Sequence, residues 1–119
     1  MSLTYSQLAV HAQLRAVAQL LNGGTLELYD DRVDGPLVSF AFADPAFTAP
    51  ADGEMAAHPF EPSAPVPRAG EARIFRCVTA GGNEVLTGDI GTGDADLVLT
   101  DTAIYRGTRV TIDAFTITE

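Results

Sequence analysis

Around one glycine-rich turn, this chain carries the residues best suited to bind a cation. Asp89, Asp94, Asp96 and Asp101 flank the Gly91-Thr92-Gly93 segment. Ca²⁺ is held by several carboxylate and carbonyl oxygens, and an Asp-x-Asp pair on a glycine turn offers some of them. Aspartate is also a frequent turn residue because its side chain bonds to nearby backbone, and the spacing differs from that of an EF-hand loop. We expect these aspartates to stabilise turns, with calcium binding as the alternative.

Groups suited to catalysis are few. The chain has two histidines, His11 and His58, and one cysteine, Cys77. It contains no Gly-x-Ser-x-Gly, His-Glu-x-x-His or Cys-x-x-Cys motif. Two histidines far apart cannot supply the clustered ligands of a cupin metal site, and Cys77 lies among apolar residues as a core side chain does. We expect a protein without catalytic residues or cofactor; a hydrolase using paired carboxylates is a further alternative.

Tyrosines and prolines supply two possible binding surfaces. Tyr5, Tyr29 and Tyr105 could form a sugar-stacking face, although the chain has no tryptophan to strengthen it. The Pro59-x-x-Pro62-x-x-Pro65 spacing is that of a polyproline helix, which aromatic grooves bind. Such ligands usually carry a well-placed basic residue, and only Arg68 is near. We therefore favour a stiff loop packed along its own domain.

Charge and length limit the classes of partner. The net charge is −9, and all seven basic residues are scattered arginines. An acidic surface repels phosphate groups, so we expect binding to neither nucleic acid nor an anionic membrane. The sequence shows neither an apolar run of spanning length nor a secretory signal pattern, which predicts a protein made in the cytoplasm. The 119 residues predict a single domain, 1–119.

One helix is predicted, over residues 4–22. Thr4 is the expected N-cap, with Gln7 completing a capping box, and glycines follow Asn22. The apolar stripe recurs at helical spacing, so we expect it to pack on the rest of the domain or on a neighbouring subunit. Its members are the candidate interface residues Leu8, Val10, Leu14, Val17 and Leu21.

The rest of the chain, residues 25–119, alternates apolar and polar residues between glycine-centred turns. This pattern predicts a mainly β fold, an antiparallel β-sandwich of seven or eight short strands, jelly-roll-like or Ig-like, without indicating which. The predicted strands cover residues 25–29, 37–43, 72–79, 84–90, 97–100 and the C-terminal stretch. A change of alternation near Asp113-Ala114 predicts a bulge, or a strand shared by two sheets. Residues 46–70 are undecided, with a short strand at 55–60 and a proline-rich crossing loop at 59–70.

Several turn and strand-end segments, taken together, give the chain a distinctive pattern. They are Gly-Gly-Thr-Leu-Glu-Leu-Tyr-Asp after the helix, Asp44-Pro45-Ala46-Phe47, Phe75-Arg76-Cys77-Val78, Gly88-Asp89-Ile90-Gly91, Asp96-Leu97-Val98-Leu99 and the Val-Thr-Ile-Asp-Ala-Phe-Thr-Ile-Thr ending. In these the chain resembles a group of small bacteriophage and prophage proteins of uncharacterised function. The resemblance implies a virion protein, such as a capsid decoration (cement) or head–tail component, and transfers no active-site residue.

Two functions from different classes follow. The first is a virion structural protein that forms a symmetric homo-oligomer, such as a trimer, and contacts phage capsid or head–tail proteins. The second is a ligand-binding module of the receptor-binding type, which binds a carbohydrate or requires calcium for binding. The sequence does not identify the partner.

Overall fold

The computed structural model describes residues 6–30, 35–60, 65–66, 68–92, 97–99 and 101–118. As predicted, the chain is mainly β with one N-terminal helix. In chain order the elements are α1 (Gln7–Leu21), β1 (Thr25–Tyr29), β2 (Val38–Ala41), β3 (Glu54–Ala56), β4 (Gly70–Glu71), β5 (Ile74–Val78), β6 (Glu84–Gly91), β7 (Leu97–Leu99), β8 (Ala103–Ile104) and β9 (Ile112–Thr118).

Helix α1 starts later than its apolar pattern suggested. Ser6 is the N-cap, and its hydroxyl accepts a hydrogen bond from Ala9 N at 3.2 Å. Gln7 is thus the first helical residue, whereas a capping box with Thr4 would have made it the third. Thr4 itself lies outside the described residues. The helix ends before Gly23, whose φ of 73° is the left-handed conformation expected after a helix. In the described part of the chain, no helix is long and apolar enough to cross a membrane.

Seven strands form one mixed sheet in the order β2-β1-β5-β6-β7-β9-β3, and β4 pairs with β8 separately. The pairs are antiparallel except β6 with β7, which is parallel through Ile90–Leu97 and Gly91–Val98. The prediction of an antiparallel sandwich, jelly-roll-like or Ig-like, is therefore not met. The physical reason is that alternation reports which face of a strand is buried, but not its partner or direction.

This sheet curls until a connecting segment bridges its two ends. Residues 42–48 leave β2 at one end and reach β3 at the other, where Phe47 bridges Ala57. Thr48 N donates to Ala56 O at 2.8 Å, and Ala57 N donates to Phe115 O at 2.8 Å. The segment that leaves β2, at one end of the sheet, is thus hydrogen-bonded to β3, at the other end.

Phenylalanine rings fill the inside of the curl. All six phenylalanines of the chain belong to one connected cluster, with ring centroids 5.1 to 6.4 Å apart between neighbours. Phe115 of β9 contacts Phe75 of β5 as well as Phe42 and Phe47 of the bridging segment. Edge-on and tilted aromatic contacts of this kind add to the stability gained by burial. The core therefore connects the middle of the sheet to both of its ends.

The predicted change of alternation in the last strand is a bulge. β9 pairs Phe115 with Leu97 and Ala114 with Val98, but Ile112 with Leu99, so Asp113 is the extra residue. β9 also pairs with β3 on its other side. The hairpin predicted around Gly81-Gly82-Asn83 is confirmed, since β5 and β6 are antiparallel neighbours.

Candidate functional site

The aspartates proposed for calcium are only partly within the described structure. Asp89 and Asp101 are exposed, while Asp94 and Asp96 lie outside the described residues. Asp101 Oδ1 accepts a hydrogen bond from Ala103 N at 2.9 Å, which is the expected turn chemistry. Within the described ranges, no group of three or more His, Cys, Asp or Glu could hold a metal ion.

The two histidines serve different parts of the fold. His11 Nε2 accepts a hydrogen bond from Gly53 N at 3.2 Å and so connects α1 to the turn before β3. In that turn Asp52 and Gly53 have φ values of 53° and 79°, and Ala51 and Glu54 exchange backbone hydrogen bonds of 2.9 and 3.0 Å. This is a two-residue hairpin turn of the type that Asp-Gly favours. His58 contributes its backbone N–H to Ala46 O.

The predicted apolar stripe of α1 packs mostly inward. Leu14 and Leu21 are 1% and 0% exposed, and Val10 and Val17 pack partly buried against the same core. Of the five predicted interface residues, only Leu8 is largely exposed, at 78%. The inner stripe of the helix thus packs on its own sheet, and Leu14 and Leu21 have no surface left for a partner.

A second apolar ridge on α1 was missed. Leu8, Ala12, Ala16 and Leu20 follow one another at intervals of four, and all are exposed. Leu20 is 53% exposed. Residues four apart lie on the same slanting row of a helix surface. We call these four residues the outer ridge. Its spacing was visible in the sequence, but the richer inner stripe obscured it.

Two described residues at the end of the proline-rich segment, Val66 and Arg68, are held against the rest of the domain. Arg68 donates to both carboxylate oxygens of Asp30, at 2.8 and 3.1 Å, and to Gly35 O at 3.0 Å. Val66 is 2% exposed. Pro59 and Pro65 are exposed, and Pro62 lies outside the described residues. The one basic residue near this segment is used internally, which supports the packed-loop interpretation.

An ion cluster crosses three strands of the sheet. Arg76 of β5 lies opposite Glu27 of β1 and donates to its Oε1 at 3.1 Å, and to Glu84 Oε1 of β6 at 3.0 Å. Tyr29 donates its hydroxyl to the same Glu27 oxygen at 2.9 Å. Burial, and then this hydrogen bond to a carboxylate, raise the pKa of Tyr29. Tyr29 is only 6% exposed, so it cannot contribute to the predicted stacking face; Tyr5 lies outside the described residues.

Cys77 is a core residue, as predicted. It is 0% exposed, and burial raises the pKa of its thiol from 9.0 to about 12. Because the thiolate is the reactive form, the thiol of the folded protein is inert near neutral pH.

An alkaline loss of stability is expected from Cys77. Its pKa is higher folded than unfolded, so its contribution is complete below pH 9.0 and is lost as the pH rises towards about 12. Between pH 7 and pH 10 the free energy of unfolding should fall by about 1.4 kcal/mol. Urea titrations at both values measure it. The Cys77→Ala variant should lose much less over this interval; an equal loss in both proteins would contradict the assignment.

A small cleft lies beside the turn after β8. Its volume is about 240 Å³, and its lining includes Asp101, Tyr105, Thr108, Arg109 and Thr111. Tyr105 is 64% exposed. A groove of about 270 Å³ runs between α1 and residues 45–50, beside Arg15 and Gln19.

No protein-family profile, curated protein sequence or solved structure matches this chain. Its function therefore has to be inferred from its own residues.

Proposed function

We propose that the chain is a non-enzymatic structural protein of a phage or prophage virion, a capsid decoration or head–tail component that acts through protein–protein contacts. The observation that supports this most is the outer ridge of α1. Leu8 and Leu20 are two of the three large hydrophobic side chains exposed in the described structure. Exposed apolar side chains on one element are typical of an interaction surface.

The charge of the helix fits such a contact. The chain has 16 acidic residues and a net charge of −9, yet none of the acidic residues lies in Gln7–Leu21. Arg15 and His11 are its only basic residues. A partner that covers the outer ridge therefore removes no helix carboxylate from water, which would be costly. Elsewhere the net negative charge keeps copies apart and opposes random association.

The shape of the outer ridge suits a second helix. Ala12 and Ala16 lie at its centre, where small side chains let two helices approach closely. Leu8 and Leu20 lie at its ends, where crossing helices diverge and larger side chains fill the space. We propose that the protein forms a symmetric homo-oligomer and binds a shell or head–tail protein. Repetition on a virion surface would make individually weak contacts sufficient.

Co-sedimentation with particles from an induced lysogen that carries the gene tests the proposal. The protein should be found in the particle fraction, and Leu20→Glu should reduce its amount about tenfold, because a carboxylate in an apolar contact costs more than about 1.4 kcal/mol. Gln7→Glu is the matched control, since it adds the same charge at an exposed position of α1 that lies about 140° around the helix from Leu20.

Light scattering of the purified protein gives the oligomeric state. Wild-type protein is expected to associate with rising concentration, and Leu20→Glu to shift it towards monomer. A wild-type protein that is monomeric at all concentrations and absent from the particles would overturn the proposal.

A further inference from the structure

The turn that carries Tyr105 is fixed at both ends. Tyr105 O accepts hydrogen bonds from Thr108 N at 3.2 Å and from the Thr108 hydroxyl at 2.5 Å. Gly107, the third residue of this turn, has a φ of 84°, which a type II turn requires at that position. Ile104, immediately before Tyr105, is 3% exposed and belongs to the core. The ring of Tyr105 is therefore displayed from a turn whose backbone is ordered.

Val66, a buried residue from a distant part of the chain, is hydrogen-bonded to the same turn. Val66, 2% exposed, donates its N–H to Thr108 O at 2.9 Å and accepts from Gly107 N at 2.8 Å. These two backbone hydrogen bonds join Val66 to the turn, as such bonds join neighbouring strands of a sheet. A binding surface that is ordered before the ligand arrives loses less entropy on binding. The backbone that carries the exposed tyrosine is therefore held in place before a ligand arrives.

The cleft beside Tyr105 combines an aromatic ring with groups that bind hydroxyls. Its lining offers a carboxylate from Asp101, a guanidinium from Arg109 and hydroxyls from Thr108 and Thr111. The charges of Asp101 and Arg109 cancel, so the lining favours a neutral ligand although the chain is strongly acidic. A ligand that fits both the Tyr105 ring and these polar groups has an apolar C–H face to stack on the ring and hydroxyls at its edge.

We propose that this cleft binds one neutral sugar ring, stacked on Tyr105, with its hydroxyls hydrogen-bonded by Asp101, Arg109 and Thr111. Its volume of about 240 Å³ is below the range of roughly 300–1,000 Å³ for drug-sized ligands, which limits the site to about one ring. This goes beyond the structural role proposed above and does not depend on it. A virion protein with such a site would also contact a glycan at the host surface.

Saturation-transfer NMR with the purified full chain tests the site. The probes are the methyl glycosides of glucose, galactose, mannose and N-acetylglucosamine, each at about 10 mM, because a single ring of this size binds with a Kd of about 1–10 mM. At least one should receive saturation at its ring C–H protons. Tyr105→Phe should retain the signal, and Tyr105→Ala should weaken binding about tenfold.

Two results would overturn the proposal. One is the absence of transfer to any of the four glycosides. The other is transfer that Tyr105→Ala leaves unchanged, which would place the contact elsewhere. The melting temperature of Tyr105→Ala serves as the folding control, and it should match that of the wild type because the side chain is 64% exposed. Particle association is a separate readout, so either proposal can fail while the other stands.

Discussion

Replacing Phe115 by alanine is expected to lower the free energy of unfolding by about 3–5 kcal/mol, the range for a phenylalanine removed from a packed core. Phe115 is 3% exposed, and its ring centroid lies 5.1 Å from that of Phe75 and 5.8 Å from that of Phe47. Its removal leaves a cavity between the middle of the sheet and the segment that bridges its ends. Urea unfolding followed by far-UV circular dichroism measures the change.

Tyr105→Ala is the matched control, an aromatic side chain removed from the surface. It should change the free energy of unfolding by no more than about 0.5 kcal/mol. If Phe115→Ala costs less than about 1 kcal/mol, the ring is not packed between sheet and bridge, and the curled arrangement is wrong.

Gly24→Ala is expected to cost about 3 kcal/mol, at the upper end of the cost of overpacking. Gly24 is buried immediately before β1, and a methyl group there would overlap the carbonyl oxygen of Val78 on β5. The nearest other atom outside Val78 is Leu21 O at 3.2 Å, also backbone. No flexible side chain can move aside, so the start of the β1–β5 pairing must shift.

Gly81→Ala provides the comparison for this prediction. A methyl group at Gly81 would come no closer than 3.7 Å, to the Thr79 hydroxyl. We expect a change within about 0.5 kcal/mol there. Thermal unfolding of both variants measures the difference, and equal melting temperatures would show that Gly24 is not confined against β5.

Local features of this fold could be predicted from the sequence. Period-two alternation located β1, β5 and β6, since alternation reflects which side chains of a strand are buried. The same reasoning located the bulge at Asp113, because one extra residue shifts the buried set to the other face. The Asp52-Gly53 hairpin could also have been predicted, since Asp-Gly is a strong signal for a two-residue turn. Flanking prolines and short apolar runs obscured it.

Long-range pairing could not be predicted. The parallel β6–β7 contact and the curl of the sheet depend on which strands meet, and alternation contains no such information. For the same reason the sequence could not show what covers the inner stripe of α1, because an amphipathic helix buries its apolar face equally well against its own sheet or a partner. The turn beside the cleft is held by Val66, far away in the chain, so no local pattern reveals this arrangement.

The segment that bridges the two ends of the sheet also limits how copies of this protein can aggregate. Unpaired strands are templates on which other chains can add by backbone hydrogen bonding. Residues 46–48 already occupy the outer side of β3, through the Phe47–Ala57 bridge and the Thr48–Ala56 hydrogen bond. β2, at the opposite end, is only Val38–Ala41. At high protein concentration such a molecule would resist fibre growth by strand addition, and contact through helical side chains would be the favoured route.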